Sequence, residues 1–102
     1  MHPAIAQHLP AISGICLRFH IRRLEVFGSA ARASDFNPAH SDADFLVEFA
    51  RDAQPGLRDF FGAKQALEMQ LGRGVDLVES GSVRNPFVLA SINAHKETVY
   101  AA

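Results

Sequence analysis

The apolar residues of this chain change period six times in 102 residues, and that alternation constrains the fold more than any other feature. Pro10 is a good first helical residue, and Ile12, Ile15, Cys16 and Phe19 then fall at i, i+3, i+4 and i+7, the stripe of an amphipathic helix. Pro3 to His8 can add a turn before it. From Arg22 to Phe27 the period becomes two, with Leu24 and Val26 alternating against Arg23 and Glu25, and Gly28 stops this strand. Ser29 to Ala33 is a short helix-forming run, and Ser34 to Ser41, with Asn37-Pro38 inside it, reads as a loop. Asp42 to Phe49 reads as a buried strand through Phe45, Leu46, Val47 and Phe49. After the punctuation of Gln54-Pro55-Gly56 comes the longest helix, striped by Leu57, Phe60, Phe61, Leu67 and Leu71 and ended by Gly72 and Gly74. Val75 to Val78 is a third strand. Asn85 caps and Pro86 starts a last helix, with Val88, Leu89, Ile92 and Val99 expected on its inner face.

The order helix-strand-helix-strand-helix-strand-helix predicts a single α/β (α+β) domain over residues 1–102, with helices packed on a small sheet in two or three layers. At 11.1 kDa there is no room for a second independent core. The order of the strands is not legible at this stage. Ten basic residues against eleven acidic ones leave a net charge of −1, which argues against a protein that holds long nucleic acid by charge. Cys16 is the single cysteine, so an internal disulfide scaffold is excluded and a reducing compartment fits. No apolar run approaches the roughly 20 residues that span a bilayer. Met1 to Phe19 lacks a positively charged start and is broken by Pro10, Ser13 and Gly14, so it reads as mature sequence. The expectation is a cytoplasmic protein with no membrane partner.

Two features stand apart from the packing pattern. Gly28-Ser29 joins a strand to a helix, where backbone N–H groups meet an anion and glycine permits close approach. Alone, such a pair is an ordinary turn with Ser29 as a cap. Asp42-Ala43-Asp44 opens an apolar strand, and residues i and i+2 share one face, so both carboxylates project together. Like charges side by side call for a compensating cation, although a solvated strand edge would also tolerate them. Asp76 interrupts the otherwise apolar Val75-Asp76-Leu77-Val78. A lone buried Asp there would be costly, whereas a two-layer fold would leave it in solvent. Were the second and third strands neighbours, Asp76 would join Asp42 and Asp44 on one face. Three such carboxylates can hold two Mg²⁺ roughly 3.5–4 Å apart for phosphoryl or nucleotidyl transfer.

Val26-Phe27-Gly28-Ser29-Ala30-Ala31-Arg32, Ser41-Asp42-Ala43-Asp44-Phe45-Leu46-Val47 and Val75-Asp76-Leu77-Val78, in that order, resemble the minimal nucleotidyltransferases of the polymerase-beta-like superfamily. The similarity runs from about Leu24 to the C-terminus. It implies a nucleotidyltransferase fold with a small mixed sheet and flanking helices. It further implies that Gly28 and Ser29 contact the β- and γ-phosphates of a nucleotide, and that Asp42, Asp44 and Asp76 ligate two Mg²⁺. Asp76 would also help deprotonate the attacking hydroxyl, and Arg32 would support the triphosphate. Two departures stand out: the loop 34–41 is longer than usual, and Ala33 stands where a glycine is frequent.

Other constellations fail. Asp42-Ala43-Asp44 runs into Phe45-Leu46-Val47, which is no EF-hand. His2, His8, His20, His40 and His95 lack zinc-ligand spacing. Gly28-Ser29-Ala30 is no hydrolase elbow, Gly72-Arg73-Gly74 reads as a helix stop, and Lys64 as a solvated helix lysine.

Size and motif set together resemble the antitoxins of toxin–antitoxin pairs whose toxin is a HEPN-fold RNase. The resemblance implies transfer of AMP from ATP to a hydroxyl of that toxin, a tyrosine near its RNase site. A short chain without an acceptor-binding domain favours a protein acceptor over a long nucleic acid. The alternative is a non-enzymatic antitoxin that occludes its toxin by binding alone.

Overall fold

The computed structural model describes residues 1–32, 36–37, 41–50 and 56–102. The elements are α1 (Pro3–Ala6), α2 (Leu9–Arg18), β1 (Ile21–Phe27), α3 (Ser29–Arg32), β2 (Ala43–Phe49), α4 (Leu57–Leu71), β3 (Val75–Glu79), α5 (Pro86–His95) and β4 (Glu97–Ala101). Most of the expected 34–41 loop, His40 and the Gln54-Pro55 punctuation lie outside the described residues.

The four strands form one mixed sheet in the order β3-β2-β1-β4. β1 runs antiparallel to β2 and β4, while β2 and β3 are parallel. A parallel pair cannot be closed by a tight turn, and α4 supplies the crossover between β2 and β3. The α/β architecture is therefore as expected.

Register sorts the side chains between the two faces. Leu24 stands opposite Val47, Val26 opposite Phe45, and Phe45 beside Leu77. All five are buried and belong to one cluster with Ile12, Ile15 and Cys16 of α2 and Ala63, Leu67 and Leu71 of α4. Each fully buried large aliphatic or aromatic side chain contributes about 1.5–3 kcal/mol, so this face is the stabilising core. The inner stripe of α4 is Phe60, Ala63, Leu67 and Leu71, whereas Leu57 and Phe61 of the expected stripe are exposed. Gly72, at φ 65°, ends that helix in the left-handed conformation as predicted.

The last helix differs from expectation. Asn85 caps it through its side-chain oxygen, which accepts from the Phe87 and Val88 amides, but the helix stops at His95. Val99 is not part of it: Thr98, Val99 and Tyr100 are strand-favouring residues and fill the free edge of β1 as β4. Of the other three residues assigned to its inner face, only Ile92 is buried, and Val88 and Leu89 are exposed. α5 lies against β1, on the sheet face opposite the main core, where Leu46 is buried. Its C-terminal end is tied down by Lys96, whose Nζ is 3.6 Å from Glu25 Oε2; Arg23 approaches the same oxygen at 3.6 Å. Glu25 is buried on that face, and the two cations compensate its charge.

Candidate active site

The second face of the sheet carries the acidic residues because the register puts them there. Phe27 of β1 pairs with Asp44 of β2, and Asp44 pairs with Asp76 of β3. Residues paired across neighbouring strands share a face, so the two aspartates project side by side. Asp42, two residues before Asp44 and just ahead of β2, is directed to the same side. Asp44 is half-buried, while Asp42 and Asp76 are exposed. The exposure of Asp76 removes the expected cost of a buried lone charge. Crowding against Asp44 takes its place.

Burial adds to that crowding at Asp44. Burial, the charge of Asp76 and a hydrogen bond shared with its carboxyl, and the charge of Asp42 together push the Asp44 carboxyl up from 3.8 to about 6. Arg32, in the last turn of α3, opposes this rise, so its positive charge reaches the carboxylate. Crowded carboxylates are relieved by a proton or by a nearby cation.

Gly28 follows Phe27 directly and has a φ of 69°. A Cβ at Gly28 would collide with Asp44 Oδ2, so only glycine lets the main chain pass this close to the carboxylate. Its carbonyl accepts from the Ala31 and Arg32 amides, each at 3.1 Å, which winds α3 into a single turn. Ala30 and Ala31 are buried, and their small size lets α3 sit against β1 and β2. Ser29, partly exposed, heads that turn. The fold thus brings Gly28, Asp44 and Asp76 together, with Asp42 and Arg32 at the margin and Ser29 one residue beyond the glycine.

Among the described residues, no three His, Cys, Asp or Glu side chains stand close enough to enclose a metal ion as they are. Asp42 Oδ1 is turned toward Gly74, 2.5 Å from where a Cβ there would sit, and Asp44 toward Gly28. The donor set is all carboxylate oxygen, which suits a hard divalent cation such as Mg²⁺ and no soft metal. Asp42 and Asp76 both act on Asp44 by their charge and are open to an incoming ion, so the residues fit that ion chemically.

Three other features escaped the reading of the sequence. An open groove of about 500 Å³ starts at Phe27 and Gly28 and is walled by Val78, Val83, Phe87, Val88 and Ile92. Its volume lies within the range of ordinary small-ligand pockets. Its sequence signal was the apolar run of α5, which was assigned to the core instead. Arg73, read as part of a helix stop, donates from Nη1 to the Ser41 carbonyl at 3.1 Å, one residue before Asp42. Glu25, with Arg23 and Lys96, holds α5 over the same face. Lys64 pairs with Glu68 at 3.5 Å on the helix surface, as expected of a solvated lysine. Burial pushes the Cys16 thiol up to about 12, which leaves it unreactive.

Comparison with known proteins gives this geometry a family. Residues 9–101 match the nucleotidyltransferase domain. A candidate protein adenylyltransferase of Methanocaldococcus jannaschii is 33% identical over 75 residues, covering 74% of this chain and 73% of that protein. The protein adenylyltransferase MntA of Thermococcus cleftensis is 38% identical over 68 residues, 67% of this chain and 65% of its own length. A solved structure of a candidate minimal nucleotidyltransferase superposes with a TM-score of 0.74 at 30% identity, over 95% of both chains. A toxin–antitoxin complex crystallised with AMP-PNP contains the same fold, with a TM-score of 0.69 at 18% identity over 92% of this chain and 73% of that one. With the match extending from α2 to β4, this chain belongs to the nucleotidyltransferase domain family.

Proposed function

We propose that this chain is a Mg²⁺-dependent protein adenylyltransferase, working in the cytoplasm, that moves AMP from ATP onto a hydroxyl of a HEPN-type RNase toxin and so acts as its antitoxin. The acceptor hydroxyl in this reading is a tyrosine. The observation that carries the proposal is the in-register pair Asp44 and Asp76 with the Gly28 main chain against Asp44. The names of the archaeal relatives support adenylyl transfer, and the shared fold of the toxin–antitoxin complex supports the partner.

In this mechanism Gly28 and Ser29 hold the β- and γ-phosphates, and Arg32 faces the same negative charge. The acceptor oxygen attacks the α-phosphorus in line, forming a new P–O bond as the bond to the β-phosphate bridging oxygen breaks and pyrophosphate leaves. Asp76, open to solvent at the mouth of the site, accepts the hydroxyl proton. Asp42, Asp44 and Asp76 would hold Mg²⁺, which supplies charge neutralisation for the triphosphate and the departing pyrophosphate. The apolar groove beside Gly28 offers room for a planar ring next to the phosphates. Phe87 and Val88, exposed at its rim, give a protein acceptor an apolar surface to dock on.

ATP labelled at the α- or the γ-phosphate tests this directly against the product of the neighbouring gene. Label from the α position, and none from the γ position, should appear on the partner with the wild-type chain and vanish with Asp44→Asn. Label from the γ position would make the reaction phosphorylation. No label from either, with the partner still silenced, would favour the second reading, an antitoxin that works by binding, for which the exposed apolar residues of α5 are the supporting observation.

A further inference from the structure

We propose that Arg73 is a positioning residue that sets Asp42 in the site, an inference that rests on Asp42 being a metal ligand. The triplet Gly72-Arg73-Gly74 does more than end α4. Asp42 lies between two peptide groups, and both are bonded to this triplet. On one side the Ser41 carbonyl accepts from Arg73 Nη1 at 3.1 Å, and on the other the Ala43 amide donates to the Gly74 carbonyl at 3.0 Å. Between them, the missing side chain of Gly74 leaves the space that Asp42 Oδ1 occupies.

The guanidinium is itself held in place. It stacks on the buried Phe36 ring at 4.8 Å, and Phe36 in turn packs against His2 at 4.7 Å. His2 is fixed by its amide, which donates to the Ala30 carbonyl at 2.8 Å, and by its Nδ1, which accepts from Ala4. Ser41 is held to Asn37 by its amide on the Asn37 carbonyl at 2.8 Å and by the Asn37 amide on Ser41 Oγ at 2.9 Å. Arg73 Nε is buried and has no hydrogen-bond partner among the described residues. Packing alone would not call for a half-buried guanidinium with one buried N–H unpaired among the described residues, whereas fixing the Ser41 carbonyl does. The rest of the metal set sits on strands and is positioned by the sheet. Asp42 precedes β2, so its placement depends on this clamp.

Mn²⁺ is the probe, titrated into the full chain without nucleotide and followed by the electron paramagnetic resonance signal of the free ion. Arg73→Ala should weaken Mn²⁺ binding about tenfold, the lower end of the cost of losing a group that orients a metal ligand. The double variant Arg73→Ala with Asp42→Asn should bind no more weakly than Asp42→Asn alone, because both changes act through one carboxylate. Arg73→Lys, which keeps a cation but loses the planar guanidinium over Phe36, should bind more tightly than Arg73→Ala and more weakly than wild type. Wild-type affinity in Arg73→Ala, or additive losses in the double variant, would overturn the proposal. Should Arg73→Ala fail to fold by circular dichroism, Phe36→Leu, which unstacks the guanidinium, takes its place, and unchanged binding there would overturn it. Asp44→Asn is the control: if it binds Mn²⁺ as wild type does, the metal reading itself has failed, separately from the role of Arg73.

Discussion

Asp44 and Asp76 occupy paired positions of the parallel strands β2 and β3, and this single register places two carboxyls side by side on the sheet face that Gly28 borders. Burial of Asp44, and then the charge and hydrogen bond of Asp76 beside it, favour a proton on this carboxyl and push it up to about 6. A divalent cation can do the same work at neutral pH, so the features that raise the carboxyl are those that favour a metal.

The pH dependence of stability follows with a definite sign. The folded-state value of Asp44 lies above its ordinary 3.8, so protonation favours the folded chain. Its contribution is fully present below about pH 4 and is lost as pH rises through about 6. Asp44→Asn removes that loss. At pH 8 and without metal the variant should be more stable by roughly 1 kcal/mol after allowance for solvent screening, or about 4–8 °C in melting temperature, and the difference should shrink toward zero near pH 4. Thermal melts across that range check it. An Asp44→Asn chain less stable than wild type at pH 8 would contradict a carboxyl raised by burial and by its acidic neighbours.

Addition of millimolar Mg²⁺ should reverse this order. Ligands that bind only the folded state stabilise it by mass action, so wild-type melting temperature should climb with Mg²⁺ concentration at pH 8 while Asp44→Asn and Asp76→Asn stay level. Chelation should return wild type to its metal-free value. An equal rise in all three chains would place the ion elsewhere.

Gly28→Ala tests the close approach. The new Cβ meets Asp44 Oδ2 and the residue must hold a φ of 69°. The strain costs about 1–3 kcal/mol, and adenylyl transfer should fall about a hundredfold because Asp44 is displaced. Denaturant melts together with transfer rates separate the two effects. Activity within a few-fold of wild type would mean that the contact is not used.

Ile92→Ala should loosen α5, since Ile92 is its one buried residue among those described. The loss should be about 2 kcal/mol, the low end for such truncations, because the groove beside it can partly close. Hydrogen exchange should quicken in α5 and leave the amides of α4 as they were.

The parts of this molecule legible in the sequence are those set by local pattern. Alternation gave β1, short apolar runs gave β2 and β3, and helical spacing with Pro, Asn and Gly punctuation gave α2, α4 and the start of α5. Strand period suggests that Asp42 and Asp44 share a face, although β2 begins only at Ala43 and Asp42 precedes it. That Asp76 joins them does not follow from it, because it depends on β2 and β3 being neighbours, which is a property of the assembled sheet. β4 was hidden because the apolar residues after Asn85 continue past His95, and a helix ending at Lys96 leaves no glycine as a mark. Arg73 was hidden for a related reason. Its flanking glycines carry a strong local signal for the end of a helix, while its partners Phe36 and Ser41 lie on the far side of β2 in sequence.

The most direct test of the account is the intact mass of the neighbouring-gene product, purified after co-expression with this chain and, separately, with its Asp44→Asn variant. The account predicts a partner heavier by one or more AMP units with the wild-type chain and unmodified with the variant. An unmodified partner in both cases, still bound and still silenced, would contradict it and leave Asp42, Asp44 and Asp76 without a catalytic role.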